Sequence, residues 1–170
     1  MKNQIFEYFI FKTLIHLRDK QKVNDLSILK CIKLLFFFST VEDTNGDSLI
    51  DQFNNVYAMP LGHVEKDIYT GIKENSFDNF SFTKQQTTLK KTTIHSSSFD
   101  RHVIELVDPK FELLLQKNPD ILFMPAYDLV ELSHQWFSWR YYFEQAKSQN
   151  KLSIKIPVEV IKNEYKVYSF

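Results

Sequence analysis

The sequence predicts a mainly α fold, a compact helical domain of about six to seven helices with a small β element. Apolar residues recur at helical spacing along most of the 170-residue chain. Only 3 glycines occur, which argues for few tight backbone excursions and against Gly-rich phosphate loops. Period-two patterning is confined to short stretches near residues 53–59 and 152–156.

The first helix is expected over residues 3–19, where Phe6, Phe9, Ile10, Thr13, Leu14 and Leu17 form an apolar stripe. Arg18, Lys20 and Lys22 stand at or beyond its end, where positive charge is favoured. Asn24 and Asp25 are plausible caps for a second helix over 25–40, apolar nearly all round, with Lys30 and Lys33 marking a wet side. Asn45-Gly46 centres a polar turn. A short aromatic strand then runs from Phe53 to Met59, punctuated by Pro60 and Gly62, and Val64 to Thr70 reads as a short helix. Lys84 to Ser98 is rich in Thr, Ser, Lys and Gln and is expected to be a mobile loop within the domain.

A third long helix is expected from Val103 to Leu115, with Pro109 able to break it. Residues 125–133 and 135–147 read as two further helices. Leu152, Ile154 and Ile156 suggest a strand, and Pro157 opens a last helix carrying Val158, Ile161, Tyr165 and Tyr168. Residues 1–170 are read as one domain, since domains usually run about 100–200 residues.

Charge and cysteine content narrow the function. Basic and acidic residues balance at 21 each, whereas a domain held by phosphate contacts is usually clearly basic. Cys31 is the single cysteine, so no intrachain disulfide or thiolate zinc site forms, which suits a reducing cytosol. Leu34 to Phe38, the most apolar run, falls far short of the ~20 residues a membrane span needs. A soluble, cytoplasmic protein without cofactor or metal is therefore expected.

No assembled catalytic motif stands out. The acidic stretch Glu42–Asp47 lacks the later bidentate Glu of a calcium loop. His16, His63, His95, His102 and His134 form no His-Glu-x-x-His pair. Cys31 sits in an apolar pattern and reads as a buried, inert thiol. Glu65 and Asp67 suit the first turn of a helix; a small hydrolase or transferase would need them to converge with His134. Lys84, Lys90, Lys91 and Arg101 would carry any nucleic-acid binding. Trp136, Trp139, Arg140 and Phe143 share a helical face and read mainly as core.

Three stretches in order resemble the Panacea, or SocA-like, antitoxin domain. Ile28–Phe37 is similar to the family's early helix, with its Lys-Leu-Leu-aromatic run. Tyr57–Tyr69 resembles the signature of an aromatic strand, a Gly turn and a helix reaching a Tyr. Leu129–His134 with Trp136 and Trp139 resembles the late Leu-Ser-His segment followed by tryptophan. His63 stands where the family usually has Pro, and residues 84–98 have no clear counterpart. The resemblance implies a non-enzymatic module that neutralises a co-encoded toxin by direct binding or as a proteolytic adaptor; a phage or prophage counter-defence binding protein is a variant. The residues expected to meet such a protein partner are Tyr57, Gly62, His63, Glu65, Lys66, Tyr69, His134, Trp136 and Trp139. The Gly62 turn is expected to present His63, Glu65 and Lys66 at a helix start.

Overall fold

The computed structural model describes residues 1–170 and is mainly α, with seven α-helices, a small three-stranded sheet and a separate two-stranded hairpin. Helix α1 (Lys2–Asp19) buries Ile5, Phe6, Phe9, Ile10 and Leu17 and packs on α4 (Arg101–Lys117). Helix α2 (Ile28–Thr40) lies at the centre, touching α1, α4, the sheet and α5 (Ala126–His134). Its position follows from its sequence, since a helix apolar on every side reaches its lowest free energy surrounded by others. Phe37 and Phe38 are wholly buried, and Phe38 stacks on Phe9 with ring centres 4.3 Å apart. Burial of such a side chain contributes about 1.5–3 kcal/mol.

The expected caps of α2 are corrected: Ser27 is the N-cap, and its Oγ accepts from the Lys30 amide at 3.2 Å. The wet side is corrected too. Lys30 and Lys33 are both fully buried. Lys30 reaches out to Asp25 at 2.7 and 2.8 Å, whereas Lys33 points into the protein. Neighbouring elements enclose the whole helix, so its few charged positions are buried with the rest.

Strand β1 (Val56–Met59) pairs antiparallel with β2 (Gly62–Glu65), Ala58 opposite His63 and Met59 opposite Gly62. On its other side β1 pairs with the two-residue β5 (Ile154–Lys155). The expected helix from Val64 is therefore shortened. Val64 and Glu65 finish β2, and helix α3 (Lys66–Lys73) starts where the Glu65 carboxylate caps the Ile68 amide at 2.7 Å.

The polar stretch 84–98 carries short regular pieces between irregular ones. A hairpin of β3 (Phe80–Phe82) and β4 (Thr87–Leu89) occupies its start, and a 3₁₀ turn covers Ser96–Ser98. Thr87 is buried, and its hydroxyl is satisfied there by donating to the Leu26 carbonyl at 2.7 Å. Helix α4 runs through Pro109 without a break. The Asn45-Gly46 turn is built by Asp43, which accepts the amides of Asn45 and Asp47, while the Lys110 ammonium binds the other Asp43 oxygen at 2.8 Å.

Helices α6 (Phe137–Ser148) and α7 (Val158–Asn163) follow. The last helix is shorter than expected, with Tyr165 and Tyr168 beyond it. That segment is nonetheless pinned: the Val167 carbonyl accepts from Trp136 Nε1 at 2.8 Å, and the Tyr168 carbonyl accepts from Asn118 at 2.7 Å. The Tyr168 side chain is buried against Phe37 and Trp136. No helix is long and apolar enough to cross a membrane.

Candidate functional site

The Gly62 turn is where the residues singled out by sequence come together. Gly62 has φ +92°, a region that disfavours side chains. Space forbids one as well: a Cβ there would lie 2.5 Å from Ser133 Oγ and 2.9 Å from Lys33 Nζ. The turn is pressed onto α2 and α5, which explains why His63 behind it is sealed from solvent.

His63 is the hub of a buried polar cluster. Its Nδ1 lies 2.8 Å from Ser133 Oγ, and its Nε2 lies 2.8 Å from Ser138 Oγ. The His63 amide donates to Ser133 Oγ at 3.1 Å, and Lys33 Nζ donates to the His63 carbonyl. The ring stacks on Phe36, with centres 3.8 Å apart and planes 6° from parallel. Burial, reinforced by the nearby Lys33 charge, pushes the imidazole well below its usual pKa. Burial lowers the Lys33 ammonium to about 7. Beyond Ser138, the Glu164 carboxylate accepts the Ser138 amide at 2.9 Å, and burial raises its pKa.

A histidine between two serines resembles a nucleophile–base pair in composition. However, Lys33, His63, Ser133 and Ser138 are all within 1% of complete burial, and no carboxylate orients the imidazole. The cluster's evident work is to tie α2, β2, α5 and α6 together.

The expectation that the turn presents His63, Glu65 and Lys66 is therefore corrected. His63 and Glu65 are buried, and Gly62 with them; Lys66 alone is exposed, its ammonium 4.7 Å from the Tyr57 ring centre. Tyr57 and Tyr69 are half-buried. Trp136 is fully buried, packed edge-on to Phe36. Trp139 is half-buried, donates to the Met59 carbonyl at 2.8 Å, and stacks on His134 at 3.6 Å between ring centres.

Glu65 and Asp67 do meet, but on Lys2, at 2.7 and 2.6 Å. Neither has His134 as a hydrogen-bonding partner; that ring lies on Trp139 and beside Glu131. No group of three or more His, Cys, Asp and Glu side chains is placed to hold a metal ion. Of the basic residues proposed for nucleic acid, Lys90 donates to the Phe77 carbonyl at 2.6 Å, Lys91 to Asn79 at 3.1 Å, and Arg101 pairs with Glu105 at 2.8 Å.

Directly outside the Gly62 turn lies an open groove of about 560 Å³. Ile28, Leu29 and Ile32 of α2 form its floor together with Val64. Met59, Pro60 and Leu61 of the turn form one wall, and Tyr69, Tyr127, Lys73 and Lys84 complete the lining. Leu61 is 44% exposed and Tyr127 68% exposed.

Comparison with known proteins finds no match. No family model, no curated protein and no solved structure is similar to this chain.

The functional weight of Lys33, Ser133 and Ser138 escaped sequence reasoning. One signal existed, a Ser at each end of the Ser133–Ser138 segment, but pairing them with His63 requires knowing that β2 packs against α5 and that the start of α6 closes over the same ring.

Proposed function

We propose that this chain is a protein-binding module of the Panacea, or SocA-like, type, which neutralises a toxin encoded by a neighbouring gene. One observation supports this reading most. The three stretches that carry the resemblance are far apart in sequence yet bond directly to one another, Lys33 to His63, His63 to Ser133 and Trp139 to Met59. They build a rigid platform beneath an apolar opening, and pre-organised apolar surface favours protein partners. Exposed Leu61 and Tyr127 at that opening suit a contact with another protein.

The test is co-expression with the product of each adjacent open reading frame. The reading expects one product that arrests growth alone, is relieved by this chain, and co-purifies with it. Absence of both relief and a complex for every adjacent product overturns it.

A further inference from the structure

Resting on the protein-binding reading above, we infer that the groove beside the Gly62 turn is the docking surface for an acidic, amphipathic segment of the partner. Its apolar side chains would fill the cleft and its carboxylates would meet Lys73 and Lys84.

Charge distribution argues for this occupant. The whole chain is electrically balanced, with 21 basic and 21 acidic residues. The groove is not: Lys73 and Lys84 are its only charged lining residues, and no acidic side chain lines it. Both lysines are exposed, and neither is held by a salt bridge or hydrogen bond within the chain. They sit on separate elements, Lys73 at the end of α3 and Lys84 in the turn of the β3–β4 hairpin. Between them the surface is aliphatic and aromatic. A segment carrying carboxylates beside apolar anchors matches both features, whereas a basic segment would leave two like charges opposed.

The groove is also pre-shaped. Lys33 and Ser133 bond His63, two residues beyond the Met59–Leu61 wall, and Trp139 bonds the Met59 carbonyl, so docking orders little of this protein. Tyr127 and Leu61, exposed in the free protein, become the anchors that a docked segment buries and that govern dissociation; the rim lysines govern encounter rate and its salt dependence.

The experiment uses the full chain and the adjacent-gene product identified by co-expression. Fluorescein-labelled peptides tiling that product are titrated by anisotropy, beside titrations of the intact product. Peptides that bind are expected to carry Asp or Glu flanking apolar residues. Leu61→Asp and the double variant Lys73→Glu/Lys84→Glu are each expected to weaken peptide and product by at least about tenfold. The double variant should lower the association rate and flatten its salt dependence, and peptides with Asp/Glu changed to Lys should regain binding to it. Lys117→Glu, outside the groove, should bind as the parent does. All substituted side chains are exposed, and circular dichroism melts confirm folding. A product that binds all variants equally overturns the groove while leaving the binding-module reading intact. So does binding only by peptides without acidic residues. Failure of every adjacent product to bind overturns the underlying reading instead.

Discussion

The side-chain nitrogen of Lys33 donates to the backbone carbonyl of His63, and neither residue is reached by solvent. A lysine without a carboxylate in a closed interior is costly to keep charged, so burial brings its pKa to about 7. The bond nevertheless fixes β2 on α2, and removing it orphans a buried carbonyl.

Stability should therefore depend on pH in a specific way. Between about pH 7 and 10.5 the unfolded chain holds a proton on Lys33 that the native state has released, so raising pH favours the native state. His63 acts the same way below about pH 6.5, since its folded pKa is also depressed. Cys31 and Tyr8 are both raised to about 12 by burial, so above about pH 9–10 they ionise first in the unfolded chain and favour it. Thermal melts from pH 5 to 11 should show stability rising to about pH 9, then levelling and falling. One proton corresponds to a slope near 1.4 kcal/mol per pH unit. Lys33→Met should flatten the pH 7–9 limb; an unchanged slope would rule out Lys33 as its source.

Gly62→Ala should be far more damaging than Gly46→Ala. Both glycines have positive φ, +92° and +82°, and incur similar backbone strain of about 1 kcal/mol when replaced. Only Gly62 adds collisions with Ser133 and Lys33, since nothing lies within 4 Å of a Cβ at Gly46. The difference should exceed about 2 kcal/mol, or several degrees in Tm for a chain of this size. Equal shifts for the two variants would contradict the packing described for the turn.

Ser133→Ala and Ser138→Ala should each cost about 1–3 kcal/mol by leaving a His63 nitrogen unpaired. Because both bond the same imidazole, their effects should not add. A double-mutant cycle by urea unfolding should give a coupling of about 0.5 kcal/mol or more. Strict additivity would mean that the serines act independently.

Cys31 should resist thiol reagents in the native protein. It is fully buried, and the reactive thiolate is scarce with the pKa pushed to about 12. Native labelling with iodoacetamide at pH 8 should be slow and accelerate on adding urea. Rapid labelling without denaturant would require an opening of α2 that the packing does not predict.

Much of the fold was legible because long helices repeat their apolar spacing often enough to be read. The α1, α4 and α6 patterns correspond to helices seen in the structure. What escaped was set by distant partners. Nothing local to Lys33 says that its neighbours close over it, and nothing local to Gly62–Glu65 distinguishes a four-residue strand from a helix start. Thr87 reads as a solvated threonine until the Leu26 carbonyl is placed beside it. The candidate site shared this fate. Its three stretches stand out in the sequence and meet in the fold, but the expected display of His63 is burial instead, and the open surface lies beside it, at Leu61 and Tyr127.

The pinned segment after α7 bears on the order of events during synthesis. Tyr168 lies on Phe37 and hydrogen-bonds Thr40, and β5 pairs with β1 across about a hundred positions. Phe37 thus lacks part of its cover until Tyr168 has been made, whereas Phe36 packs on His63 and Trp136 and Phe38 on Phe9. A chain ending before Tyr168 would bare apolar surface on Phe37 and Trp136, the kind of surface that draws partly folded chains into aggregation.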